Sequence, residues 1–255
     1  MKTKQKVAII SIIISIIVIS SITILNPQLI DRAFYRMGLQ EQICFPIINE
    51  EFQSDNVTNI VAAGDFGINE NSIKTLKNIQ SSNPEVILML GDLGQSTSKD
   101  WIELSELMDR NKMYITLGDR DLLERNDYLR YSAITDDYYS FDYQNIHFLA
   151  ISTNEEKNNE LGILSDVIQI DFIKDDLSNA ADDPKTDWIV VFLHHPMYTS
   201  IPNLYSMDLR SLLQPTFDLY GVNLVINGHK HVYERTNPVT FNNTITDNEN
   251  CSYDD

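Results

Sequence analysis

An α/β layered domain with at least a partly parallel sheet is the fold class this sequence predicts, and three observations predict it. Apolar, β-branched runs alternate with segments of helical period across residues 57–226. Two of the runs, Val86–Leu90 and Trp188–Leu193, are continuously apolar, as suits strands covered on both faces. Five runs are followed by an aspartate or a histidine, and in α/β folds ligands gather beyond the carboxyl ends of the strands.

The N-terminus is a separate matter. Lys2, Lys4 and Lys6 precede residues 7–25, an uncharged run made largely of Ile and Ser. Its 19 residues, at about 1.5 Å each in a helix, reach roughly 28 Å, close to one hydrocarbon core. No positive charge follows until Arg32. The expectation is therefore a single N-terminal transmembrane helix, with residues 1–6 in the cytoplasm and the rest of the chain outside the cell membrane. A cleaved signal peptide and a secreted product form the alternative, with Ser20-Ser21-Ile22 a poor cleavage site. Residues 26–55, with Pro27 and Pro46 and no clear period, read as a linker or stalk.

The domain itself spans residues 56–240. Residues 57–63 are strand-like, and residues 71–81 place Ile73, Leu76, Lys77 and Ile79 near helical spacing. Val86–Leu90 is the second strand. Residues 100–108 form a helix with Trp101, Leu104, Leu107 and Met108 on one side, and residues 113–117 make the third strand. Residues 138–141 and Ile146–Ile151, with Asn145 between them, predict a hairpin. Residues 165–180 are helical with Ser165 as N-cap, Trp188–Leu193 is a buried strand, and residues 222–226 are the last clear one. An Asn/Asp-rich tail, 241–255, follows.

The formal charge of −18 argues against a surface that binds nucleic acid, which needs a positive footprint. The two cysteines, Cys44 and Cys251, stand near opposite ends of the outer part, where they either pair in an oxidising exterior or remain thiols.

The chemistry concentrates in five short motifs. Gly64-Asp65-Phe66-Gly67, Gly91-Asp92-Leu93-Gly94 and Gly118-Asp119-Arg120-Asp121 each follow an apolar run. His194-His195-Pro196 and Asn227-Gly228-His229-Lys230-His231 follow two more and hold four of the 5 histidines. A single Gly-Asp after a strand is ordinary turn chemistry. Five strand ends carrying carboxylates and imidazoles are what a carboxylate-bridged pair of divalent cations needs. Such donors suit Fe, Mn, Zn or Co, and no cysteine lies near to make a thiolate centre. His147, inside the hairpin, reads as structural.

In this order the motifs resemble those of the calcineurin-like metallophosphoesterase family. Gly228-His229-Lys230-His231-Val232-Tyr233-Glu234-Arg235 and His194-His195-Pro196-Met197-Tyr198 look most like its purple acid phosphatase branch. The resemblance covers about residues 57–238. It implies a β-sandwich flanked by helices, a dinuclear centre at one edge, and hydrolysis of a phosphate monoester or diester by metal-activated water. Carried over by position, Asp65, Asp92 and His231 hold one metal, Asp92, Asp119, His194 and His229 hold the other, and Asp92 bridges. A non-catalytic member of the fold, binding metal or a phosphorylated ligand, is the alternative.

Two departures motivate that alternative. Purple acid phosphatases carry an iron-binding tyrosine three residues after the bridging aspartate, where this chain has Gln95, so no purple ferric centre is expected. The family's Gly-Asn-His reads Gly118-Asp119-Arg120. Asp119 adds a negative charge beside the metals, and Arg120 restores a positive one and can clamp phosphate bidentately. Arg120 cannot donate a proton at neutral pH, so an acid role toward the leaving group is vacant or passes to His195.

Overall fold

Two facing sheets make the frame. β1 (Ile60–Ala63), β2 (Val86–Leu90) and β3 (Met113–Thr116) form one, in that order and wholly parallel. The second has four strands: β4 (Tyr139–Tyr143) pairs antiparallel with β5 (Ile146–Ile151), which runs parallel to β8 (Trp188–Leu193), which runs parallel to β9 (Leu224–Asn227). Between β5 and β8 lies a pair of two-residue strands, β6 (Glu156–Lys157) and β7 (Glu160–Leu161), and after β9 another, β10 (Val239–Thr240) and β11 (Asn243–Thr244). The computed structural model describes residues 58–94, 97–153, 156–157, 160–161, 167–202, 206–240 and 243–244, all within one compact unit, Glu50–Thr246. The apolar run 7–25, the linker, Gln95, Ser165, both cysteines and most of the tail lie outside the described residues. Among the described residues no helix is long and apolar enough to cross a membrane.

The period of two along each strand decides what it touches. Val86, Leu88 and Leu90 of β2 meet Phe148, Ala150, Val190 and Phe192 in the layer between the sheets. Ile87 and Met89 point the other way, onto Leu76, Ile79 and Trp101 of the helices α1 (Glu70–Ser81) and α2 (Ser98–Ser105). Across the sandwich, Leu149, Ile151, Val191 and Leu193 face Ile173, Leu177, Leu209 and Phe217 of two further helices. Those are α4 (Val167–Asp182) and α5 (Ser206–Tyr220), with α3 (Arg125–Ser132) preceding them in the chain. Every residue of β2 is buried, which accounts for its uninterrupted apolar sequence. Each large aliphatic side chain buried in these layers contributes about 1.5–3 kcal/mol. The layered α/β architecture, sheets inside and helices outside, agrees with the fold the sequence implies.

Local signals set the element ends. Asn69 caps α1, its side chain accepting from Asn71 N at 2.9 Å and Ser72 N at 3.2 Å. Thr97 caps α2 by accepting from Asp100 N at 3.2 Å. The helix expected over 100–108 therefore starts earlier and ends at Ser105, leaving Leu107 and Met108 beyond it. The β4–β5 hairpin turns at Gln144-Asn145, with Gln144 left-handed at φ +55°. Tyr139 ties the two sheets together: its hydroxyl donates to Ile115 O at 2.8 Å and accepts from Ile115 N at 2.9 Å.

His147 stands in β5 with each ring nitrogen on a carboxylate, Nδ1 2.7 Å from Asp142 and Nε2 2.9 Å from Asp176 on α4. Burial alone would lower its pKa, but hydrogen bonds and charge from Asp176 and Asp142 outweigh it, and the net shift is upward from 6.5. A raised folded pKa means that this stability is complete below the ordinary imidazole value and is lost as pH rises through the folded value. His147→Gln is expected to cost about 2 kcal/mol in urea unfolding near pH ~5.5 and clearly less near pH ~9. Equal costs at both would show that the ring is not held as imidazolium.

β1, β2, β3, β8 and β9 deliver their following loops to one edge of the sandwich, and β5 adds a sixth strand end beside β8.

Candidate metal centre

Asp65 follows β1 and Asp92 follows β2, and the two loops are laced together. Asp65 N donates to Gly91 O and Phe66 N to Asp92 O, both at 2.9 Å. Asp65 and Asp92 adopt left-handed backbone, φ +57° and +49°, as do His229 at +76° and His231 at +54°. Four of the six expected ligands thus occupy a conformation uncommon outside glycine, of the kind that concentrates at functional sites. Their neighbouring glycines mostly serve close approach instead. A Cβ on Gly64 would lie 2.8 Å from Leu90 Cβ, and one on Gly228 would lie 2.7 Å from Asp65 Oδ2.

The donor atoms converge. Asp65, Asp92 and His194 form one group and Asp119, His194 and His229 a second, each with ligand atoms within 4.8 Å of one another. His194 is common to both. Its Nδ1 donates to Leu90 O at 2.7 Å, which turns Nε2 inward as the nitrogen free to take a cation, 3.6 Å from Asp92 Oδ1 and 3.2 Å from His229 Nδ1. His231 reaches the first group from its edge, Nε2 lying 3.4 Å from Asp65 Oδ1. All six residues singled out as metal ligands, Asp65, Asp92, Asp119, His194, His229 and His231, are therefore brought to one place.

Charge at the site favours cation binding. Burial, with help from His195 and His194 nearby, depresses the His229 imidazole to about 4, the neutral form that a metal ligand needs. Burial raises Asp65 above its ordinary value against the pull of His194, the His229 N–H and His231. For Asp119 burial also acts upward, but the hydrogen bond and charge of His195, joined by His194 and His229, carry the net below the ordinary value. Hard carboxylate oxygens together with imidazole nitrogens converging on one place fit divalent cations of the Mn, Fe, Co or Zn class.

Arg120 and His195 are placed differently. Arg120 N donates to Asp92 Oδ1 at 3.0 Å, and its Nε lies 3.5 Å from Asp92 Oδ2 with the side chain 49% exposed. The guanidinium is thus beside the centre and open to solvent. His195 is buried, with Nδ1 2.9 Å from Thr153 Oγ1 and Nε2 3.0 Å from Asp119 Oδ1. With both nitrogens so engaged, its geometry favours a partner of Asp119 over the proton donor suggested by sequence.

Three contributors escaped sequence reasoning. Asp121 is fully buried and its carboxylate accepts from Leu93 N at 3.0 Å and Gly118 N at 2.8 Å, joining the loops after β2 and β3. Burial, opposed by the Gly118 N–H and supported by Asp92, pushes it up to about 6. Glu234 accepts from Thr199 Oγ1 at 2.7 Å and Ser200 N at 2.9 Å, clamping the loops after β8 and β9. Thr153 is the third. Asp121 and Glu234 lay inside the motifs, and only their burial or partners distinguish them from turn residues.

Fold and site together define a layered α/β domain with a cluster of candidate metal ligands at the carboxyl ends of its strands. The family model for the calcineurin-like phosphoesterase matches residues 58–233. The chain belongs to the calcineurin-like phosphoesterase family. Among curated proteins it is similar to purple acid phosphatase 23 of Arabidopsis thaliana, 21% identical over 84% of this chain and 56% of the relative. Purple acid phosphatase 15 of the same plant is 25% identical over 71% of this chain and 41% of the relative. The chain thus spans about half the length of the curated relatives it matches. Among solved structures it resembles GAP50, the anchor in the inner membrane complex of Plasmodium, with TM-score 0.53 and 20% identity over 67% of this chain and 65% of that one, a likeness of fold.

Proposed function

We propose that the protein is a metal-dependent phosphoric ester hydrolase acting on a monoester or diester with activated water as nucleophile. The observation that carries this reading is the pair of three-ligand groups sharing His194, built from five separate strand ends. The resemblance assigns Asp65, Asp92 and His231 to one cation and Asp92, Asp119, His194 and His229 to the other, whereas the converging groups share His194 and leave Asp92 in the first alone. When bound, such a pair lowers the pKa of water and absorbs charge at phosphorus.

The chain's own residues do the rest. The Leu90 carbonyl fixes the His194 tautomer, and the left-handed turns at Asp65, Asp92, His229 and His231 aim four side chains into one space. Arg120 supplies a guanidinium beside the centre, and a planar fork of N–H donors suits the non-bridging oxygens of a phosphoryl group. Arg120→Ala is expected to lower kcat/KM for an aryl phosphate by on the order of 100-fold, with Arg120→Lys recovering only part. Unchanged steady-state kinetics in Arg120→Ala would remove the clamp from this account.

A non-catalytic reading has one observation in its favour: Arg120 Nε sits 3.5 Å from Asp92 Oδ2, as a resident counter-ion would. Arg120→His separates the two readings. Loss of turnover supports the clamp, and gain of turnover supports a site silenced by arginine. The lysines before residues 7–25, together with that uncharged run, support a single-pass anchor that holds the domain outside the cytoplasmic face of the cell membrane.

A further inference from the structure

β5 and β8 are parallel neighbours with Ile151 opposite Leu193, so the residues two beyond each partner, Thr153 and His195, leave adjacent strand ends side by side. Thr153 is 1% exposed and His195 3%, so neither meets bulk solvent. Thr153 Oγ1 accepts from His195 N at 3.2 Å and lies 2.9 Å from His195 Nδ1. On the far side of the ring, Nε2 lies 3.0 Å from Asp119 Oδ1. A neutral imidazole has one N–H, and a carboxylate oxygen requires that proton on Nε2. Nδ1 of such a ring carries the lone pair, and the Thr153 hydroxyl, able to donate or accept, holds that side of the ring.

Asp119 stands where the resembling motif carries an asparagine. An amide presents a single oxygen, whereas a carboxylate presents two, and an unrestrained one can turn either toward the site. Here Oδ1 is engaged by His195 while Oδ2 lies 3.7 Å from His229 Nδ1, on the side of the candidate metal group.

We propose that Thr153 is a positioning residue: by holding the His195 ring at Nδ1 it keeps Nε2 on one oxygen of Asp119 and presents the other to the cation proposed to sit with His194 and His229. This inference rests on the metal-centre reading above. A carboxylate or hydroxyl that orients a ligand in this way typically changes metal affinity by 10–100-fold when removed.

The test uses the full chain and three forms, wild type, Thr153→Val and Thr153→Ser. Calorimetric titration with Mn²⁺ is expected to show two sites in wild type. In Thr153→Val one of them weakens by about 10–100-fold, and Thr153→Ser restores it to within a few-fold of wild type. Long-range ¹H–¹⁵N correlation on histidine-labelled protein reads the His195 ring nitrogens independently of any metal. The His195 ring-nitrogen shifts should match in wild type and Thr153→Ser and move in Thr153→Val, where the ring is no longer held against Asp119. If wild type binds no metal, the metal-centre reading fails and the ring-nitrogen shifts alone decide. A Thr153→Val chain that is folded and keeps the wild-type ring-nitrogen shifts overturns the proposal, as does one that keeps both wild-type affinities.

Discussion

Asp92→Ala is expected to abolish cooperative metal loading and lower hydrolysis of an aryl phosphate by at least about 1,000-fold, roughly 4 kcal/mol of barrier. The carboxylate sits at the centre of the constellation. It accepts from Arg120 N at 3.0 Å, lies 3.6 Å from His194 Nε2, and shares a donor group with Asp65. Its loop also receives Phe66 N, through its own carbonyl, at 2.9 Å, and that contact is backbone and survives the substitution. The variant should therefore keep near-wild-type circular dichroism while elemental analysis shows metal lost. Retention of two ions per chain in Asp92→Ala would show that Asp92 is not shared between them.

The second large effect is expected from Gly118→Ala. A Cβ there would collide with the Asp92 carboxylate and the Asp92 amide nitrogen, and would lie 2.8 Å from His194 Cε1. Gly118 N also donates to the buried Asp121 carboxylate at 2.8 Å, so the loop cannot swing away without abandoning a buried charge-assisted bond. Overpacking against backbone rather than a flexible side-chain tip belongs at the upper end of the usual range, about 3 kcal/mol in urea unfolding. Metal affinity should fall with it, because the side chains displaced, Asp92 and His194, are two of the proposed ligands. A Gly118→Ala chain of wild-type stability and metal content would mean that the loops after β2 and β3 approach less closely than described.

What was legible in the sequence follows from how strongly each element is constrained. Val86–Leu90 and Trp188–Leu193 are strands with the bounds their apolar runs suggest, because central parallel strands tolerate almost no polar side chain. The convergence of Asp65, Asp92, Asp119, His194, His229 and His231 was legible because each follows such a strand and the fold class sends parallel strand ends to one edge. α3, Arg125–Ser132, was not legible, since Tyr128 and Leu129 are its only buried residues and the rest of it is polar. α5, Ser206–Tyr220, was hidden by Pro215 inside it, which reads as a breaker although Leu209, Leu213 and Phe217 keep a helical stripe.

The candidate site was legible in its converging carboxylates and histidines and not in the groups that support them. Thr153 belongs to no motif, and it becomes visible only through the register that sets β5 beside β8. Asp121 looks like one more turn aspartate until its carboxylate is found buried between two loops. His195 reads either as a spare acid beside His194 or as a support behind the site, and only its contacts with Thr153 and Asp119 bear on which. Such roles depend on which atoms face which, information that residue order alone does not carry.

The proposed activity needs two divalent cations at this edge of the sandwich. Mn²⁺ or Zn²⁺ titrated into metal-stripped full-length protein, with binding and hydrolysis of an aryl phosphate and a bis-aryl phosphodiester followed on the same samples, puts both to one test. Two ions should bind per chain, and turnover of at least one ester should rise with occupancy of the second site. Absence of stoichiometric binding, or two bound ions with turnover of neither ester, would rule out a dinuclear phosphoesterase here.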